Sequence, residues 1–311
     1  MSNMQKEKDM YKLIDTIIQK EKPNIIHTHF LIFSCLPAYY AASKYNLPLF
    51  SSAWSKRAIT NDRVLKIRLS NLLKKTSYLV MNSLLLYNEM ESMYGLNGIK
   101  WLPINPPIDL SPYHEEQVKD LSVPKILSAR AMREAYHQDL LIKSIPKILE
   151  KNNKTQITII IGQSARHGKR YFNEMVDLSK RVGVYNKCTF IDRGLSQQDF
   201  TNLIKAHNIV YAVAEDMGTS GTVIQAAYSG AITIIQNSFV DLSLLRPSEN
   251  VLHTFVRPRD VEKVLCHSVM NLKTIQPVLY KNNRKLKSQS AEYTCSILTN
   301  AYDEVYRATH S

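Results

Sequence analysis

The residues best equipped for chemistry stand in one stretch, Ala214-Glu215-Asp216-Met217-Gly218-Thr219-Ser220-Gly221-Thr222-Val223-Ile224-Gln225-Ala226-Ala227-Tyr228-Ser229-Gly230. An apolar strand-like run precedes it and a helix-forming run ends it. Gly218 and Gly221 let the backbone approach a ligand closely. The open N–H groups at a helix start, together with the helix dipole, form an anion site. The hydroxyls of Thr219, Ser220 and Thr222 add donors, and a diphosphate suits such a site. An ordinary capped turn would use the same residues. A second element, Ser128-Ala129-Arg130-Ala131-Met132-Arg133-Glu134, begins at the carboxyl end of a strand-like run, Lys125–Ser128. There a guanidinium can reach into a cleft and grip a phosphate through paired hydrogen bonds. The plainer reading is a surface arginine on a loop.

Both elements need a frame of strands and helices. Apolar spacing predicts helices over residues 4–21, 36–44, 63–75, 84–94, 137–151, 171–182, 197–207 and 222–229, and one long final helix over 281–309. Short apolar runs predict strands at 24–27, 47–52, 78–82, 100–102, 125–128, 155–161, 188–191, 209–213 and 232–236. Repeated strand–helix units predict parallel sheets covered on both faces. The proline-bearing run 103–112 and the charged run 114–120 read as a linker between two such units. Parallel sheets bind ligands at the carboxyl ends of their strands.

Composition limits the partners. The chain has 311 residues with 44% apolar and 22% charged side chains, which excludes a disordered or fibrous protein. Its formal charge is +13, which favours an anionic partner over simple solubility. Cys35, Cys188, Cys266 and Cys295 stand far apart, so a disulfide framework or structural zinc is not expected and a reducing cytoplasm is. Residues 1–10 are polar and charged, which reads as no signal peptide, and the apolar stretch 30–42 is too short for a membrane span.

In serial order these segments resemble the GT-B glycosyltransferases, specifically retaining family 4. Residues 126–142 resemble that family's strand, arginine loop and helix, and 155–162 its central strand. Residues 189–193 with 195–204 resemble the next strand and helix, and 218–230 the loop and helix that hold a sugar nucleotide. In the first half, Lys22-Pro23-Asn24-Ile25-Ile26-His27-Thr28-His29 resembles the "PDIIHxH" strand, and Ile104-Asn105-Pro106-Pro107-Ile108-Asp109 the "PNGVD" linker. The resemblance implies an α/β fold with two Rossmann-like, doubly wound parallel-sheet domains facing a cleft. Their extents would be an acceptor-side domain over 1–116, a donor domain over 117–280, and a final helix over 281–311 that crosses back. No glycine precedes Gly95, so the family's opening strand and Gly-rich loop are missing and the first domain reads as truncated.

The resemblance also implies roles. Arg130 neutralises a departing diphosphate, with Arg133 or His137 replacing the family's lysine. Trp54 stands where the family has a catalytic histidine. Arg130, Arg133, Gly162, Arg193, Gly218, Thr219, Ser220, Gly221, Thr222 and Gln225 form the donor-binding set, and Arg130, His137 and Trp54 the catalytic one. The family's paired glutamates fall on Met217 and Gln225. No cofactor beyond a UDP- or GDP-sugar co-substrate is implied. A metal is not expected, because His27 and His29 alone do not make a zinc site and no Asp-x-Asp occurs.

Three basic groups stand out: Lys66, Arg68, Lys74 and Lys75; Arg166, Lys169 and Arg170; Lys281, Arg284, Lys285 and Lys287. The first suits an anionic membrane face or a solvated helix face equally. Nucleic acid is disfavoured by the lack of any recognition motif. The reading is a cytoplasmic glycosyltransferase acting on a glycan or glycolipid acceptor, at the inner membrane face if peripheral. Its rivals are a non-catalytic GT-B partner subunit and a GT-B sugar-nucleotide epimerase, for which Glu134 and Glu215 are the candidate carboxylates. Oligomeric state is left open.

Overall fold

Short, mostly apolar runs form the strands of two all-parallel sheets, and the central strands are buried while the edge strands Lys100–Pro103 and Cys188–Ile191 are not. The computed structural model describes residues 3–32, 35–54, 58–105, 107–113, 119–161, 165–214, 220–236, 251–283 and 290–310. The first sheet has the order β1 (Ile26–Thr28), β2 (Leu49–Ala53), β3 (Thr76–Met81), β4 (Lys100–Pro103). Helices α1 (Asn3–Glu21), α2 (Leu36–Lys44), α3 (Arg63–Lys75) and α4 (Leu84–Tyr94) precede or link these strands. Local chemistry sets the helix starts: Asp62 accepts a hydrogen bond from the Leu65 N–H, and Ser83 one from the Leu86 N–H.

The second sheet contains β5 (Lys125–Ser128), β6 (Gln156–Ile160), β7 (Cys188–Ile191), β8 (Ile209–Tyr211), β9 (Ile232–Gln236) and β10 (Leu252–Thr254). Its spatial order is β10-β9-β8-β5-β6-β7. The chain therefore winds outward from β5 through β6 to β7, then returns to the other side of β5 with β8. That reversal is the doubly wound arrangement, and the crevice beyond β5 and β8 is its switch point. Helices α5 (Gln138–Lys151), α6 (Ala165–Arg181), α7 (Gln197–Ala206) and α8 (Gly221–Tyr228) make the crossovers. The aliphatic residues of β5 alternate between the two cores, Ile126 on one face and Leu127 on the other.

Two elements lie where the sequence predicts none, β10 and α9 (Pro258–Met270), and α10 (Leu272–Asn283) meets the predicted final helix only at 281–283. The long final helix is also corrected. Helix α10 ends at Asn283, and a new helix, α11 (Ala291–His310), starts after Ser290. Ser290 caps it, taking the Tyr293 N–H on its hydroxyl at 3.3 Å, and pairs in parallel with Ile108. Helix α11 packs on the first sheet, not the second. Ala301, Tyr302 and Val305 cover Phe50 and Tyr78, and Ile297 and Leu298 meet Trp54, Val80 and Ile104. Helix α6 begins six residues before the predicted 171 and takes in the basic group Arg166, Lys169 and Arg170. No helix among the described residues is long and apolar enough to cross a membrane.

Candidate functional site

The switch point gathers most of the residues singled out in the sequence. Ser128 of β5 pairs with Tyr211 of β8, and the Ala129 N–H donates to the Tyr211 carbonyl at 3.3 Å. Arg130 follows directly on one side of this pair. On the other, the chain leaves β8 through Ala212–Ala214 toward Ser220 and α8. The arginine loop and the helix start thus come from the carboxyl ends of two adjacent strands.

Arg130 is 8% exposed. Its guanidinium carbon lies 4.8 Å from the centre of the Tyr136 ring, a cation–π contact from within its own loop. The loop is closely held. The Met132 N–H donates to the Ile161 carbonyl at 3.0 Å, and Met132 itself is buried. A single 3-10 turn, Glu134–Tyr136, leads to His137, whose φ of 51° is left-handed. His137 is half-buried and stands just before α5, while Arg133 is exposed. The Gln138 side chain reaches back to the Ala131 and Arg130 carbonyls at 3.0 and 3.4 Å. The Tyr211 hydroxyl donates to the His137 carbonyl at 2.9 Å.

On α8, Ser220 accepts the Val223 N–H on its hydroxyl at 3.4 Å. The Gly221 and Thr222 N–H groups precede the first intrahelical bond, where a helix has donors to offer. Gly221, Thr222 and Gln225 are the partly exposed positions among the first five residues of α8 and share one face of the helix. A Cβ at Gly221 would stand 3.8 Å from the Ile108 side chain, so the linker lies against the helix start. Gly162, Gly218 and Thr219 lie outside the described residues, as do Glu215 and Met217.

Three solved structures share this architecture. A glycosyltransferase from Rickettsia africae superposes with a TM-score of 0.75 over 96% of this chain and 80% of its own, at 16% identity. Anabaena HepE in complex with UDP gives 0.75 over 95% and 82%, at 12% identity. Sucrose-phosphate synthase from Thermosynechococcus elongatus gives 0.74 over 96% and 77%, at 12% identity. The fold is GT-B. No protein-family model and no curated protein matches the sequence.

Within the GT-B frame the remaining candidates separate. Trp54 belongs to the other sheet, just past β2, where it is 8% exposed and packed with Val80, Ile104, Ile297 and Leu298. Its indole is part of the seam between the first sheet, the linker and α11. Arg193 follows β7, two strands from β5 at the sheet's edge, is exposed, and lies 3.7 Å from Asp199. His27 and His29 stack at 4.2 Å between ring centres. His27 sits between the Tyr302 hydroxyl at 2.5 Å and the Ser52 hydroxyl at 2.6 Å. Burial, helped by His29, pulls its pKa down to about 4, so it is neutral at pH 7. No group of three or more His, Cys, Asp or Glu among the described residues is placed to hold a metal ion.

The basic groups have mixed fates. Arg68 pairs with Glu7 and donates to the Tyr40 hydroxyl, which ties α3 to α1 and α2. Lys169 is 3.3 Å from Asp192, and Arg170 reaches both Glu134 and Glu174 on the surface. Lys281 belongs to α10, whereas Arg284, Lys285 and Lys287 lie outside the described residues. The sequence reading misses Tyr136, Gln138 and Tyr211. A tyrosine at the end of a buried strand reads as core, and a glutamine opening a helix reads as surface.

Proposed function

We propose that this protein transfers a sugar from a nucleotide-activated donor, in the manner of retaining family 4. One observation carries the reading: the doubly wound strand order sets the Arg130 loop and the start of α8 at the carboxyl ends of neighbouring strands. Glycosidic bond cleavage passes through an oxocarbenium-like state in which negative charge gathers on the departing diphosphate. Arg130 neutralises that charge, and the Gly218–Thr222 amides and hydroxyls receive it at the positive end of α8. Arg133 or His137 takes the place of the family's lysine, with Gln225 hydrogen-bonding the ribose or the sugar. The donor is a UDP- or GDP-sugar, and no metal takes part.

The domain division that goes with this reading is 1–116 for the acceptor and 117–280 for the donor, with 281–311 crossing back. A glycan or glycolipid is the acceptor, reached in the cytoplasm or from the inner membrane face. UDP and GDP titrations by calorimetry test the donor site. At least one should bind, and Arg130→Ala should weaken it at least ten-fold; an unchanged affinity rejects the assignment. The packing of Trp54 supports a second reading, a GT-B subunit that binds a nucleotide sugar without turning it over. Incubation with UDP-sugars, with and without acceptor, separates transfer or hydrolysis from binding alone, and an epimerised product would point to an isomerase.

A further inference from the structure

Two polar side chains lie beneath the 130–137 loop, and both are nearly sealed from solvent: Gln138 is 0% exposed and Tyr211 is 1% exposed. They come from different elements, the first turn of α5 and the end of β8. Their described hydrogen bonds converge on this loop. Gln138 Nε2 donates to the carbonyls of Ala131 at 3.0 Å and Arg130 at 3.4 Å. Because both neighbours are acceptors, they require the NH2 end of the amide to face them. Tyr211 Oη donates to the His137 carbonyl at 2.9 Å.

Burying an amide and a phenol has a desolvation penalty that a leucine and a phenylalanine would not carry. What the two groups gain is control of the loop's conformation. His137 is one of four non-glycine residues with positive φ among those described, a backbone state that disfavours a side chain. The phenol holds the carbonyl of that strained residue. The amide holds the two carbonyls at the other end of the loop, where the Arg130 side chain departs. Tyr136, which faces the Arg130 guanidinium, stands between these two fastenings.

We propose that Gln138 and Tyr211 are positioning residues of the anion site: they fasten both ends of the loop so that Arg130 and His137 meet a diphosphate preorganised. This rests on the nucleotide reading above and adds the two residues that set its geometry. Neither touches the ligand; each acts through the loop.

The test uses Tyr211→Phe and Gln138→Met, which keep shape and remove only the polar group. UDP and GDP affinities are measured by calorimetry for each variant, alone and combined with Arg130→Ala. Hydrogen exchange of the 131–137 amides is followed in the ligand-free protein. The expected result is a five- to ten-fold loss of affinity in each single variant. In the Arg130→Ala background the further loss should be under two-fold, and faster exchange should be confined to the loop. A purely structural role predicts equal losses in both backgrounds, and that outcome overturns the proposal. Wild-type affinity in both single variants overturns it as well. A wild-type protein that binds neither UDP nor GDP overturns the nucleotide reading and this role with it, whereas binding by the wild type with unmoved variants removes only the fastening.

Discussion

The guanidinium of Arg130 stands over the ring of Tyr136 at 4.8 Å, six residues along the same loop. An arginine stacked in this way is held in plane without losing its N–H donors, which lie along the edge of the guanidinium. The contact therefore orders the cation within its own loop.

From this follows a test of the ring alone. Tyr136→Phe keeps the stacked face and should match the wild type in titrations with UDP and GDP. Tyr136→Ala removes about 0.5–1 kcal/mol of cation–π stabilisation, a weakening of about two- to five-fold. Calorimetric titration of the two variants checks it, and equal affinities for both would separate the ring from the site.

A second prediction concerns acid. His27 is held neutral by burial, its pKa pulled to about 4, and burial moves His29 the same way. Between roughly pH 6.5 and 4 the unfolded chain takes up a proton that the folded chain refuses, so stability falls as pH falls through this window. Above the unfolded value the effect is absent. Allowing for the partial exposure of the ring, the loss at His27 amounts to about 1–2 kcal/mol. Urea unfolding at pH 7 and pH 5 should show it, and His27→Asn should flatten most of the difference.

Gly230 offers a third. Its φ is +81°, and an added Cβ would come within 2.6 Å of a Tyr280 ring carbon and 3.2 Å of Gln276 Nε2. That same Nε2 donates to the Gly230 carbonyl at 2.7 Å. Gly230→Ala should therefore destabilise by about 2 kcal/mol or more, through backbone strain and a disturbed α8–α10 contact. A lowered urea midpoint would show this; an unchanged one would mean that the turn relaxes without loss.

The fourth lies at the far end of α7. The Lys119 Nζ donates to the carbonyls of Ile204 at 3.1 Å, Lys205 at 2.9 Å and His207 at 2.6 Å, and burial pulls its pKa down to about 7. Helix carbonyls at a C-terminus have no intrahelical partners, and a cation there is favoured by the dipole. Lys119→Met leaves those acceptors without their donor and should lower unfolding free energy by about 1–3 kcal/mol. Nucleotide affinity should be untouched, because this end of α7 is opposite the switch point.

What the sequence makes legible follows from how locally each feature is encoded. Arg130 is visible because it stands just past a short strand-like run, Lys125–Ser128, and the start of α8 because Ser220 and the glycines mark a capped turn. The two parallel sheets follow from the repeated strand–helix alternation. By contrast, β10 has three residues, too few for a period to emerge. Pro277 inside α10 reads as a helix breaker. Gly168 in the basic run masks the first turns of α6, although its remaining turns have strong amphipathic spacing. Nothing in the neighbourhood of Trp54 announces its packing, because Ile297 and Leu298 arrive from the other end of the chain. Gln138 and Tyr211 are obscure for a related reason: what matters is the carbonyl each one reaches, and three-dimensional proximity alone supplies it.

That the last helix closes the first sheet bears on the order in which the protein is made. On the ribosome the strands β1 to β4 emerge first, yet Phe50, Tyr78 and Trp54 keep an uncovered side until residues 291–310 have been translated. The second sheet can complete its core in the meantime. Synthesis that stops before residue 291 thus leaves an intact second sheet attached to an uncovered first one, and damage to residues 291–310 is felt at the first sheet.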